Sequence, residues 1–119
     1  MKDLDAFISE LKKCNKLIIV EGKKDKKALE ELDVRNIITL NQPIFKIVEE
    51  TAKKNKEVVI LTDLDKEGKK LYGNLNSELQ RFGVKVDKKF REFLFKETKL
   101  RQIEGISKYI EHVSKINNI

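Results

Sequence analysis

The chain has 119 residues, 39% of them charged, with a formal net charge of +6 and only one Cys, one His and one Pro. The length suits one domain, residues 1–119, and the lone Cys14 cannot close an internal disulfide, which predicts a reducing, cytoplasmic setting. The longest uninterrupted apolar stretch is four residues, as in Leu17-Ile18-Ile19-Val20, and Met1-Lys2-Asp3-Leu4-Asp5 has no apolar signal core; membrane and secreted classes are therefore excluded, as is a zinc finger, which needs four ligands.

Leu4, Phe7, Ile8 and Leu11 recur at helical spacing and predict a first amphipathic helix. Leu17-Ile18-Ile19-Val20 is apolar on both faces, as buried parallel strands are, and it ends at Glu21-Gly22. Lys24 to Leu32 reads as a helix, with Ala28, Leu29 and Leu32 on one face and Asp25 near its start. Ile37 to Leu40 is a second strand. Pro43 opens the next helix, whose core face holds Ile44, Ile47, Val48 and Thr51. Val58 to Leu61 is a third strand and runs into Thr62-Asp63-Leu64-Asp65. A long helix follows with Leu71, Leu75, Leu79 and Phe82 on one stripe and Gly83 as its stop. Val84 and Val86 mark a fourth strand, Phe90, Phe93 and Leu94 a helix, and Ile103, Ile106, Ile110 and Val113 a last helix.

Strands alternating with helices predict βαβ units. The expected architecture is α/β, a Rossmann-like three-layer fold of about four parallel strands flanked by helices. In such sheets ligands bind beyond the carboxyl ends of the strands. Those ends carry Glu21 after the first strand and Asp63 and Asp65 after the third. Three carboxylates brought to one edge repel one another and lose hydration unless a cation neutralises them. Oxygen ligands suit a hard divalent ion, Mg²⁺ or Mn²⁺. Asp65 is equally placed to cap the helix that begins at Lys66, and Asp25 to cap its own helix. Glu is a poor cap, so Glu21 points to the metal. Lys23 and Lys24, where the first loop meets its helix, and Lys66, Lys69 and Lys70, which flank the second acidic loop, are candidates for binding phosphate; the alternative for each is an ordinary exposed lysine.

Charge is unevenly distributed. Residues 66–101 hold eight Lys and three Arg against five acids, which accounts for the whole net charge. A one-sided basic segment suits a polyanion such as nucleic acid, RNA or DNA. A Lys- and Glu-rich surface is also the composition of heat-adapted proteins.

Glu21-Gly22-Lys23-Lys24-Asp25 after one apolar strand and Thr62-Asp63-Leu64-Asp65-Lys66-Glu67-Gly68 after another resemble the signature of the Toprim domain. The resemblance covers about residues 16–86. With the leading helix and the segment Thr98 to Ile106, the chain is similar to the small stand-alone Toprim proteins of archaea and bacteria. The resemblance implies that Asp63 and Asp65 bind Mg²⁺, that Glu21 shares the metal or serves as general acid/base in phosphoryl transfer, and that Glu67 is an accessory acid. It implies nuclease chemistry on nucleic acid or, as an alternative, a non-catalytic binding module. So small a domain has little surface to grip a duplex, so a homodimer or a protein partner is expected. The chain is expected to depart from topoisomerases and bacterial primases: Tyr72 and Tyr109 fall in predicted helices, no accessory domain is expected, and His112 falls on a predicted polar face. A receiver-type signalling domain would need paired acids after the first strand, where Glu21-Gly22 stands.

Overall fold

A computed structural model describes Met1 and residues 3–117. The elements are α1 (Leu4–Lys13), β1 (Leu17–Val20), α2 (Lys23–Glu30), β2 (Ile37–Thr39), α3 (Ile44–Lys54), β3 (Glu57–Ile60), α4 (Lys66–Arg81), β4 (Lys85–Asp87), α5 (Lys89–Glu97) and, after a 3₁₀ turn at Ile103–Gly105, α6 (Ile106–Asn117). The four strands form one sheet in the order β2-β1-β3-β4, and every pairing is parallel. The expected α/β arrangement is therefore the observed one.

The period of two along the strands builds two cores, one on each side of the sheet. Ile18, Val20, Val59 and Leu61 face α1, α2, α5 and α6, where they join Phe7, Leu11, Leu29, Phe90, Leu94 and Ile106. Leu17, Ile19, Val58 and Ile60 face α3 and α4 and pack with Val48, Leu75 and Leu79. All four residues of β1 are buried, which is why the run reads as apolar on both faces. Phe7 anchors the first core: its ring stacks on Phe93 at 5.2 Å and meets Phe90 edge-on at 5.9 Å.

Helix ends follow local chemistry. Asp3 caps α1 by accepting the Ala6 N–H at 2.9 Å. Gly83 stops α4 with φ +79°, a left-handed conformation that glycine adopts without strain. The Gly83 N–H then bonds the Gln80 carbonyl and the Val84 N–H bonds the Leu79 carbonyl, at 3.0 and 2.9 Å, a Schellman closure. At the far edge of the sheet, Lys16 bridges Asp87 of β4 at 2.7 Å and Glu57 of β3 at 3.5 Å.

Three expectations are corrected. Phe82 is 56% exposed instead of completing the buried stripe of α4, because the helix ends at Arg81 and the chain turns there. Ile103 is buried but belongs to the 3₁₀ turn, not to the last helix. Leu32 lies beyond the end of α2 and is only partly buried.

Replacing Phe7 by Ala is expected to cost about 3–5 kcal/mol, the range for an emptied aromatic core position, whereas Phe82→Ala changes stability by less than about 0.5 kcal/mol. Urea denaturation of both variants checks this; equal losses would place the core elsewhere.

Candidate functional site

The order β2-β1-β3-β4 sends the chain to opposite sides of β1 after β1 and before β3, so these two central strands define a switch point. Their register pairs Ile19 with Ile60, and the Leu61 N–H donates to the Ile19 carbonyl at 2.8 Å. Glu21 and Asp63 follow directly, on adjacent strands at the carboxyl edge. The Asp63 N–H donates to Glu21 Oε1 at 2.9 Å across 42 residues of sequence.

Each acid of the edge is held by backbone. The Ile103 N–H donates to Asp63 Oδ1 at 2.8 Å, and the Gly68 N–H donates to Asp65 Oδ1 at 2.8 Å. Asp65 is thus the N-cap of α4, as the helix start at Lys66 suggests, and Gly68 admits no side chain. A Cβ there would lie 1.8 Å from the Asp63 carbonyl oxygen. Asp25 is buried and accepts the Gly22 N–H at 3.0 Å, which fixes the loop that follows Glu21.

Burial raises Glu21 above its ordinary value, and the charges of Asp63, Asp25 and Asp65 add to the rise against the bond from the Asp63 N–H. Burial is also the main cause for Asp63, with repulsion from Asp65 and Glu104 added, and for Asp25, with repulsion from Asp63 and Glu104. Three carboxylates on one edge therefore share an excess of negative charge.

The three expected ligands do not close into a cage: among the described residues, no three His, Cys, Asp or Glu side chains converge to hold a metal. The reason is local. Asp65 turns toward the first turn of α4, and the bond from Ile103 holds one oxygen of Asp63. The donor set still fits Mg²⁺. Glu21, Asp63 and Asp65 each commit one oxygen to a backbone N–H, and the other accepts no hydrogen bond among the described residues. Mg²⁺ characteristically takes one or two carboxylates and keeps several waters.

Of the other residues singled out from the sequence, Glu67 is exposed on the first turn of α4 and faces Lys70 at 4.0 Å, outside the acidic edge. Lys23 and Lys24 open α2 beside Gly22 and are exposed, as are Lys66, Lys69 and Lys70 on α4. Lys69 lies over the Phe95 ring at 4.7 Å.

Sequence reasoning missed Arg91 and the segment before α6. Arg91, 9% exposed, donates from Nη2 to the Asp63 carbonyl at 2.6 Å and to Thr62 Oγ1 at 3.3 Å, and its guanidinium stacks on Tyr72 at 4.6 Å. Thr62 in turn donates to the Gly68 carbonyl at 2.7 Å. A cation inside the run Lys89-Phe90-Arg91-Glu92 offers no sign of burial beyond its place between Phe90 and Leu94. The Leu64 N–H donates to the Arg101 carbonyl at 2.7 Å, so the turn before α6 straps the Asp63–Asp65 loop.

The parallel sheet and acidic switch point define a Toprim-like α/β domain. The Toprim domain family model matches residues 16–98, and the chain belongs to that family. The match runs through α5, past the 16–86 core read from the sequence. Among its relatives, a UPF0292 protein of Methanocaldococcus jannaschii is 39% identical over 100 residues, covering 80% of this chain and 78% of the relative. One of Pyrococcus abyssi is 40% identical over 106 residues, covering 88% and 80%. A solved structure of an Aquifex aeolicus protein superposes with a TM-score of 0.82 at 36% identity, covering 87% of this chain and 98% of that one. No helix among the described residues is long and apolar enough to cross a membrane.

The raised carboxylates set a pH dependence. Their folded-state values lie above the ordinary 4.5 of Glu and 3.8 of Asp, so between the ordinary and the folded-state value of each group the folded chain binds more protons than the unfolded one. The stability they contribute is full below about pH 4 and falls as pH rises through the folded-state values. Glu21→Gln keeps an oxygen for the Asp63 N–H and removes the charge. In metal-free buffer its stability is expected to fall less than that of wild type between pH 4 and pH 7; an equal or steeper fall in denaturation midpoints would contradict the assignment.

Proposed function

We propose that the chain carries out Mg²⁺-dependent phosphodiester chemistry on nucleic acid, as a small Toprim nuclease. The observation that carries the proposal is the Glu21–Asp63 contact. It joins two acidic motifs 42 residues apart at the end of the two central strands, beside a segment that holds the whole net positive charge.

In this reading Glu21, Asp63 and Asp65 are the residues that would hold Mg²⁺, and the ion would supply neutralisation of the phosphodiester's charge. Glu21 has one oxygen fixed by the Asp63 N–H and the other free, and burial keeps its proton affinity high. It is therefore suited to move a proton to or from the reacting oxygen. Arg91 positions the Asp63 backbone through the bond at 2.6 Å. Lys66 and Lys70 on α4 and Lys23 and Lys24 on α2 flank the acidic edge and attract the phosphate backbone, which makes binding salt-sensitive. Glu67, exposed beside Lys70 on the first turn of α4, stays an accessory acid apart from the residues that would hold the ion.

One observation favours a second reading, binding without cleavage: the acidic side chains are held by backbone bonds and form no ready-made cage among the described residues. Incubation with structured RNA, single-stranded DNA and supercoiled DNA separates the two. Metal-dependent cleavage by wild type and a loss of about 10²-fold or more in Glu21→Gln are expected. Full cleavage by the Gln variant removes Glu21 from the mechanism, and binding with no cleavage by wild type selects the second reading.

A further inference from the structure

We propose that the groove between α4 and α5 is a nucleobase-stacking subsite for single-stranded nucleic acid, with Phe95 as its platform. The proposal rests on the nucleic-acid reading above and adds a site that reads neither acid nor metal.

The groove has a volume of about 270 Å³ and is lined by Tyr72, Lys88, Arg91, Glu92, Phe95 and Lys96. That is below the usual range for drug-sized ligands and suits one planar ring system rather than a large ligand. Its charge is one-sided, with three cations against Glu92. Phe95 is 42% exposed on α5, where a core-building helix would place a polar residue. Lys69 lies 4.7 Å from its ring centroid and the Arg101 guanidinium 5.5 Å. An exposed aromatic ringed by cations is the combination with which proteins hold single strands: the ring takes a base and the cations take phosphates. An incoming base can displace an exposed cation from the ring because stacking outweighs an exposed cation–aromatic contact, and the freed cation gains a phosphate.

Two residues join the groove to the acidic edge. Arg91 lines the groove, stacks on Tyr72 and donates to the Asp63 carbonyl. It is 9% exposed, and its Nε has no hydrogen-bond partner among the described residues, so part of its donor capacity is unused. Arg101, beside Phe95, accepts the Leu64 N–H through its carbonyl, and Leu64 lies between Asp63 and Asp65. Arg91 and Arg101 thus connect the groove and its platform to the backbone of the Asp63–Asp65 loop. The subsite fits a single strand, since a base must be free of its pair to lie on the ring.

The test is fluorescence anisotropy with a labelled single-stranded oligonucleotide, RNA and DNA in turn, and the full chain. Phe95→Ala is expected to weaken binding about tenfold or more with the salt slope unchanged, because it removes stacking and no charge. Lys96→Ala is expected to lower the magnitude of the slope by about 0.7, the value for one phosphate of a single strand. The chain has no Trp, so Phe95→Trp supplies a single reporter, which the oligonucleotide is expected to quench and an abasic strand of equal length is not. Wild-type affinity in Phe95→Ala, or equal quenching by the abasic strand, overturns the subsite and leaves the nucleic-acid reading standing. Failure of wild type to bind any oligonucleotide overturns both.

Discussion

The site depends on one constraint: β1 and β3 are hydrogen-bonded neighbours, so residues that follow them are brought to the same place. The chain reverses its lateral direction between these strands, and the edge beyond them is the crevice where α/β sheets bind ligands. The bond from the Asp63 N–H to Glu21 Oε1 closes that crevice at the level of side chains. If β3 lay at the sheet edge beyond β2, Glu21 and Asp63 would be about two strand spacings apart, close to 10 Å, and no ion could touch both.

Around that contact the protein confines negative charge without pairing it. Among the described residues no lysine or arginine forms an ion pair with Glu21, Asp63 or Asp65; the buried cation Arg91 bonds to the Asp63 carbonyl instead of its carboxylate. Backbone N–H groups satisfy one oxygen of each acid, which fixes the side chains while leaving most of their charge uncompensated. Burial first, and then the neighbouring negative charges, raise the proton affinity of Glu21 and Asp63, and a divalent cation would relieve that repulsion. The excess of basic residues falls in residues 66–101, which include α4 and α5.

Much of this was legible in the sequence. The apolar four-residue runs announce buried strands, and the acids that end two of them announce the site, because strand ends in such sheets share an edge. Gly68 closes the second acidic motif in the sequence, and the structure supplies its reason, the Asp63 backbone that leaves no room for a Cβ. What could not be read depends on contacts between distant residues. Arg91 sits in a charged run whose local pattern is that of solvated helix surface, and only the fold buries it against Tyr72. Asp65 had two readings, cap and ligand, and local hydrogen bonding realises the cap while one oxygen stays available. The turn at Ile103–Gly105 carries no acidic motif, and its contribution is a backbone N–H, which any residue but proline supplies. Phe82 kept the helical spacing but fell one residue beyond the helix, where periodicity no longer dictates direction.

The central claim is that a divalent ion binds between Glu21 and the Asp63–Asp65 loop. Paramagnetic broadening by Mn²⁺ of backbone amide resonances in the full chain tests it most directly. Substoichiometric Mn²⁺ is expected to broaden Gly22 and residues 63–68 first, with Ile103 and Glu104 alongside, and an excess of Mg²⁺ is expected to restore them. Broadening that begins instead at exposed carboxylates on the helix surfaces, or that Mg²⁺ does not reverse, would contradict the account.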